Sequence, residues 1–238
     1  MRAPLLVRAL RARWRDQRAE IRETLRLLRP GDAAVDIGAH KGAYLYWMRR
    51  AVGPGGRVFA FEPQPSLHAY LDDLVSSLGW ANVALSPLAL SDRKGEATIH
   101  VPAAAGKSSP GASLEKQSGY GIAVRTDTLD SVLDGKGMPR FIKCDVEGHE
   151  LAVFRGAART LERHGPALLF ECEARHLSAH TMQDVFRFLL DLGYSGEFFA
   201  GGRLRPLAEF DPSVHQRREG ERYWDRKDYS NNFLFVRR

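Results

Sequence analysis

Residues 35–44, VDIGAHKGAY, decide how this chain reads. An apolar run ends in the carboxylate of Asp36, and Gly38 and Gly42 follow at once. A buried strand that breaks this way is either a plain turn capped by Asp36 or a ligand loop. Gly38 lets the backbone turn and approach a ligand closely, and the helix predicted to follow presents free N–H groups there. At the end of the next apolar run, RVFAFEP (57–63), Glu62 stands where an acid accepts hydrogen bonds from both hydroxyls of a ribose.

These features suit an adenosine cofactor. The dinucleotide fingerprint G-x-G-x-x-G is absent, because the glycines are spaced G-x-x-x-G. Asp36 also opposes a pyrophosphate, which calls for a helix N-terminus free of anionic competition. An acid at that point suits a cationic cofactor instead. S-adenosylmethionine (SAM) carries a sulfonium and an ammonium, and its ribose matches Glu62.

Outward from this stretch, extended and helical patterns alternate. AAVDIG (33–38), RVFAFEP (57–63) and NVALSPLAL (82–90) read as extended, with helices predicted over 41–52 and 65–79. ATIHV (97–101) reads as an antiparallel strand after the turn SDRKG. RFIKCDVEG (140–148) and ALLFECE (167–173) are further buried strands, with helices over 149–163 and 181–192. The C-terminal runs GYSGEFFA and NNFLFVRR enclose a polar stretch, 201–230. Strands separated by helix-length segments imply parallel βαβ units in an α/β sheet. Residues 102–121, rich in Gly, Ala, Ser and Pro, read as a mobile loop. In such sheets ligands bind beyond the carboxyl ends of the strands. The candidates are therefore Asp36, Gly38, Glu62, Ser91, Asp92, Asp145, Glu147, Glu171 and Glu173.

The charge is unevenly placed. Residues 1–29 hold nine arginines against three acids, and the remaining 26 basic and 26 acidic residues cancel. The basic balance therefore belongs to one segment and does not describe a domain built to run along nucleic acid. In that segment Leu6, Leu10, Trp14, Ile21, Leu25 and Leu28 recur at helical spacing, opposite a stripe of arginines. The expectation is an amphipathic helix over residues 1–30 that packs its apolar stripe on the domain, 31–238. A contact with an anionic membrane surface and a lid over the substrate are the sharper alternatives. No apolar run approaches the ~20 residues of a membrane span, and the N-terminus makes a poor signal peptide. Cys144 and Cys172 lie in apolar runs and read as reduced core residues of a cytoplasmic protein.

KCDVEGHE, 143–150, gathers Lys143, Asp145, Glu147, His149 and Glu150 in one strand-to-helix turn. Strand alternation points Lys143 and Asp145 to the same side. Methyl transfer from a sulfonium is an in-line displacement, so positioning carries much of the catalysis, and a hydroxyl acceptor also needs a base. Asp145 and Glu147 are the first candidates for that base and His149 the next. Acids at a helix start also favour its dipole, which accounts for Glu150 and part of Glu147. Glu171 and Glu173 stand two residues apart at the end of the run ALLFECE, and one is a candidate acceptor contact. HQRREGERYWDRKDY (215–229), with Arg217, Arg218, Arg222, Tyr223 and Trp224, reads either as a cover over a glycan or anionic acceptor or as an exposed charged loop. Nothing in the pattern calls for a metal.

The order VDIGAHKGAY, RVFAFEPQPSLHAYL, ALSDRKGEATIHV, TDTLDSVL, FIKCDVEGHELAVFRGA, PALLFECE, NNFLFV resembles the FkbM-type SAM-dependent methyltransferases over roughly residues 33–238. The resemblance implies a class I Rossmann-like α/β fold: a seven-stranded, mostly parallel sheet with an antiparallel C-terminal hairpin and helices on both faces. It implies O-methylation of a sugar, glycan or natural-product acceptor. Asp36 and Gly38 would line the methionine and ribose side of SAM, with His40 and Gly42 in the same loop. Glu62 would hold the ribose, Ser91 and Asp92 would lie near the adenine, and Asp145 beside the transferring methyl. One departure is His40, where the family usually has Asn. Competing readings are an N- or C-methyltransferase on the same fold, a nucleotide-linked oxidoreductase, and an RNA- or membrane-associated binding module.

Overall fold

The structure is a computed structural model and describes residues 2–102, 112–115, 119–226 and 228–237. The N-terminal segment is α1 (Arg2–Arg11), a π-helical turn (Ala12–Asp16) and α2 (Arg18–Leu27). There follow β1 (Ala33–Ile37), α3 (Ala43–Val52), β2 (Arg57–Phe61), α4 (Pro65–Ser77) and β3 (Val83–Ser86). Next come β4 (Ala89–Leu90), β5 (Gly95–Val101), β6 (Tyr120–Asp127) and α5 (Leu129–Val132). The chain continues with β7 (Pro139–Cys144), α6 (Glu150–Arg155), α7 (Ala158–His164), β8 (Ala167–Glu171) and α8 (Met182–Asp191). It closes with β9 (Tyr194–Ala200), β10 (Arg203–Pro206), α9 (Pro212–His215) and β11 (Asn232–Arg237).

The main sheet has eight strands in the order β10-β9-β11-β8-β7-β1-β2-β3. β3, β2, β1, β7 and β8 run parallel, and β11, β9 and β10 add antiparallel. The chain leaves β1 in one direction, through β2 and β3, and later returns to β1's other side as β7. That reversal opens a crevice at the carboxyl ends of β1 and β7. β4, β5 and β6 form a separate three-stranded sheet, with β5 antiparallel to β6 as ATIHV predicts. The class matches the α/β reading. The strand count exceeds seven because β10 folds back on β9.

Alternation along the central strands gives the sheet two apolar faces. Val35 and Ile37 of β1 join Phe59, Phe61, Ile142 and Phe170 under α6, α7 and α8. Ala34 of β1 joins Val58, Ala60, Phe141 and Leu169 under α3, α4 and the N-terminal segment. Each fully buried Phe, Ile or Leu contributes about 1.5–3 kcal/mol, so a sheet covered on both faces holds the crevice rigid. Thr181 and Asp184 close a capping box on α8.

Several boundaries differ from the sequence reading. NVALSPLAL is not one strand: β3 pairs with β2 in the main sheet, while β4 pairs with β6. The helix predicted over 149–163 is broken into α6 and α7 at Gly156, where a Cβ would stand 2.0 Å from the Ser91 carbonyl oxygen. The polar stretch 201–230 contains β10 and α9. Most of the 102–121 loop lies outside the described residues.

The N-terminal stripe is a correction. Ile21 and Leu28 are buried, but among the described residues of α1 and the π-helical turn Leu5, Ala9 and Ala12 are buried, and Leu6, Leu10 and Trp14 face outward. Small Ala9 and Ala12 let the backbone sit close to α3: the Trp47 indole N–H donates to the Ala9 carbonyl at 2.8 Å, and Arg8 Nη1 donates to the Lys41 carbonyl at 3.1 Å.

Candidate active site

β1 and β7 lie side by side, with Asp36 opposite Lys143 and Ile37 opposite Cys144. Beyond them the two chains almost touch. Gly38 has φ 73°, and a Cβ on it would stand 2.0 Å from the Asp145 carbonyl oxygen, so only glycine fits. Lys143 Nζ donates to the Gly38 carbonyl at 3.1 Å and lies 3.3 Å from Asp145 Oδ2 and 3.8 Å from Asp36 Oδ1. Lys143 and Asp145 thus share a side, as alternation predicts. Burial opposes the lysine's charge, but the two carboxylates outweigh it and raise its pKa. Asp36 is wholly enclosed. Burial lifts its carboxyl to about 6 against the pull of Lys143.

Glu62 caps the loop from the other side. Its Oε2 accepts the His40 backbone N–H at 2.7 Å and its Oε1 the Gln64 N–H at 3.0 Å. Burial raises its carboxyl to about 7, with the two backbone donors opposing. Each oxygen keeps a lone pair for a further donor. His40 makes this contact from a left-handed backbone, φ 48°. Asn tolerates that region better than most residues, which gives a physical reason for the family's usual residue here. Burial, then Lys41, lowers the His40 ring to about 4, so it is neutral near pH 7. Its Nε2 is buried without a hydrogen-bond partner among the described residues.

Two clefts meet at this point. One runs from Gly38, His40 and Glu62 past Asp145, Glu147 and His149 to apolar walls of Leu88, Leu90, Ile99 and Leu114. The other lies between α1 and the loop after β1, walled by Arg8, Lys41, Tyr44 and Lys143. Gly38, His40 and Asp145 line both.

Of the residues singled out from sequence, Gly38, His40, Glu62, Asp145, Glu147 and His149 line the first cleft. Asp36 stands behind Lys143. Gly42, φ 80°, sits at the start of α3 against Leu71 and Leu5. Ser91 and Asp92 face a neighbouring groove; Leu88, Ala89 and Leu90 line the cleft in that segment. His149 is held at both nitrogens, by Ser91 Oγ and by Glu115 Oε1, each at 2.9 Å. Glu147, φ 54°, places Oε2 2.8 Å from His176 Nδ1. Glu150 is buried and accepts the Gly148 N–H at 3.0 Å, and burial raises its carboxyl to about 8.

β8 ends at Glu171, so Glu173 lies beyond the strand. Burial raises the Glu171 carboxyl. Burial would raise Glu173 too, but hydrogen bonds from Arg175, Glu171 and Asn231 hold it at about 2. Arg175, the Tyr229 hydroxyl at 2.8 Å and Asn231 Nδ2 at 2.9 Å all engage that carboxylate. The 215–229 stretch joins this cluster: the Arg175 guanidinium stacks 4.8 Å from the Trp224 ring. Arg217 and Arg226 instead pair with Asp228. Sequence reasoning missed Glu115 and His176, isolated polar residues in loops whose partners are remote in the chain. It also missed Arg8 as a wall of the second cleft.

The donor set fits SAM. The part-exposed Asp145 carboxylate, which lines both clefts, suits a cationic group, the Glu62 carboxylate suits vicinal hydroxyls, and Leu88, Leu90, Ile99 and Leu114 suit a flat apolar base. The family model for the methyltransferase FkbM domain matches residues 36–195. The chain therefore belongs to the FkbM methyltransferase family, within the SAM-dependent methyltransferases. Among solved structures it is similar to methyltransferase FkbM from Methylobacillus flagellatus, with 17% identity and a TM-score of 0.57, covering 91% of this chain and 50% of that one. It is also similar to a SAM-dependent methyltransferase from Aquifex aeolicus, with 16% identity and a TM-score of 0.50, covering 95% and 91%. A Streptococcus mutans protein in complex with SAH is 10% identical, with a TM-score of 0.51, covering 93% and 97%. The chain thus spans half the length of the Methylobacillus protein. These likenesses are to the fold. No curated protein matches the chain at significant similarity. Among the described residues no helix is long and apolar enough to cross a membrane.

Proposed function

We propose that this chain transfers a methyl group from SAM to a hydroxyl of a sugar, glycan or natural-product acceptor. The observation that carries this reading is the wall shared by the two clefts, Gly38, His40 and Asp145. A donor in the first cleft and an acceptor in the second would meet there. Glu62 would bind the ribose, the apolar end the adenine, and Asp145 and His40 Nε2 the methionine end. SAM supplies an electrophilic methyl on a sulfonium, and S-adenosylhomocysteine is the leaving product.

The chain's own contribution is positioning and a proton acceptor. Lys143 fixes the Asp145 carboxylate from one side, and its other oxygen is the group best placed to take an acceptor hydroxyl's proton. Glu147 stands second, because its Oε2 is turned toward His176, 2.8 Å from Nδ1. His149, tied at both nitrogens, orients the turn. The buried thiols of Cys144 and Cys172 favour a reducing, cytoplasmic setting.

The test is incubation of the full chain with methyl-labelled SAM and a panel of glycans and hydroxylated natural products, with mass spectrometry locating the label. An O-methyl product is expected. A label on nitrogen or carbon overturns the hydroxyl assignment, and failure to bind SAM overturns the donor.

A further inference from the structure

The outward face of α1 carries an apolar stripe that the domain does not use. Leu5, Ala9 and Ala12 are buried, while Leu6, Val7, Leu10 and Trp14 are 43%, 65%, 39% and 64% exposed. At this spacing the four side chains lie along one face of the helix and its π-helical continuation. Single exposed apolar residues need no explanation, but a contiguous set rimmed by charge marks an interaction surface. The rim is cationic. Arg11 and Arg15 flank the stripe, both exposed and both paired to the single acid Asp16 at 2.8 and 3.4 Å. Arg13 sits on the other flank, half-buried, its guanidinium 5.1 Å from the Trp14 ring and 4.9 Å from the Trp47 ring of α3. Residues 1–29 carry nine arginines against three acids, while the rest of the chain is balanced.

We propose that α1 and the π-helical turn after it dock the protein on an anionic lipid surface. Leu6, Val7, Leu10 and Trp14 enter the boundary between headgroups and acyl chains, and the arginines around them meet lipid phosphates. An apolar stripe with a tryptophan, bordered by arginines, has the composition of an interfacial helix. Charge selects lipid over a second copy of the chain. A two-fold contact through the stripe would be self-complementary and would set one arginine rim against the other. The apolar centre of the stripe likewise has no counterpart in the phosphate contacts that dominate nucleic-acid binding. The inference does not depend on the identity of the methyl acceptor.

The test is sedimentation of the full chain with vesicles of phosphatidylcholine alone and of phosphatidylcholine with phosphatidylglycerol in a ratio of roughly two to one. Binding to the anionic vesicles is expected to be at least about tenfold tighter and to weaken with added salt. L6S/L10S/W14S and R11Q/R15Q should each lose about tenfold or more at an unchanged thermal midpoint. Absence of binding, or undiminished binding by the folded apolar variant, overturns the proposal. So does a dimer that this variant abolishes while vesicles are ignored. If the apolar variant does not fold, tryptophan quenching of the wild-type chain by brominated anionic lipid decides: quenching supports insertion and its absence overturns it.

Discussion

Gly38 and Asp145 approach so closely that a single methyl group on Gly38 would fall 2.0 Å from the Asp145 carbonyl oxygen. Gly38→Ala therefore has to push β1 and β7 apart at the crevice and also place a Cβ at φ 73°. A loss of about 2–4 kcal/mol is expected, together with loss of SAM binding. Thermal unfolding and calorimetric titration check it; a midpoint unchanged from wild type would mean the two loops are free to separate.

Asp145→Asn keeps the size of the side chain and removes its basicity. Turnover should fall about 10²–10⁴-fold, the contribution of a positioned base, while SAM still binds. Single-turnover rates with labelled SAM separate the two. Full activity would take Asp145 off the list of bases and leave Glu147.

Glu62→Ala removes an acceptor from two backbone N–H groups and, under the proposed function, from the ribose. SAM affinity should drop about 10–100-fold, as expected for hydrogen bonds to a buried charge. Isothermal titration reads it directly, and an unchanged dissociation constant would sink the cofactor assignment.

His40→Asn should fold at least as well as wild type, because Asn, whose short polar side chain bonds its own backbone, accepts φ 48° at least as readily as His. His40→Val should lose up to about 1–2 kcal/mol, because a β-branched side chain makes the left-handed backbone costlier than His does. Urea unfolding of the pair tests this. Equal midpoints for Asn and Val would show that the backbone relaxes at no cost.

Burial raises Glu150 from 4.5 to about 8, so the folded chain holds this proton over a range where the unfolded chain has released it. Stability from this group is full below pH 4.5 and declines as pH rises toward 8. Glu62, lifted to about 7, and Asp36, lifted to about 6, add slopes of the same sign. Glu150→Gln keeps the acceptor for the Gly148 N–H and should flatten the decline, with a gain on the order of a few kcal/mol at pH 8. Urea midpoints across pH 5–8 check it; parallel curves for the two proteins would place the titration elsewhere.

The parts of the chain that were legible are those whose neighbours in space impose a pattern on neighbours in sequence. Val35, Ile37, Phe59, Phe61, Ile142 and Phe170 sit in continuous apolar runs because both faces of a parallel sheet are covered. Lys143 and Asp145 share a side because strands alternate. The failures share a different cause. NVALSPLAL is apolar throughout, and nothing local states that Ala89 and Leu90 pair in another sheet. Leu6, Leu10 and Trp14 have the period of a helix, yet the period cannot say which face meets the domain; Ala9 and Ala12 pack there because small residues allow the closer approach. Glu115 and His176 carry no periodicity, so their contacts with His149 and Glu147 appear only in three dimensions.

Gly38, His40 and Asp145 belong to both clefts, so under the proposed function donor and acceptor share a wall and their binding is expected to be coupled. Whatever factor one occupant imposes on the affinity of the other is returned unchanged. Titrating S-adenosylhomocysteine in the presence and absence of an acceptor, and the acceptor in the presence and absence of S-adenosylhomocysteine, must therefore give a single coupling constant. Its sign would tell whether the shared wall favours a productive pair over either ligand alone.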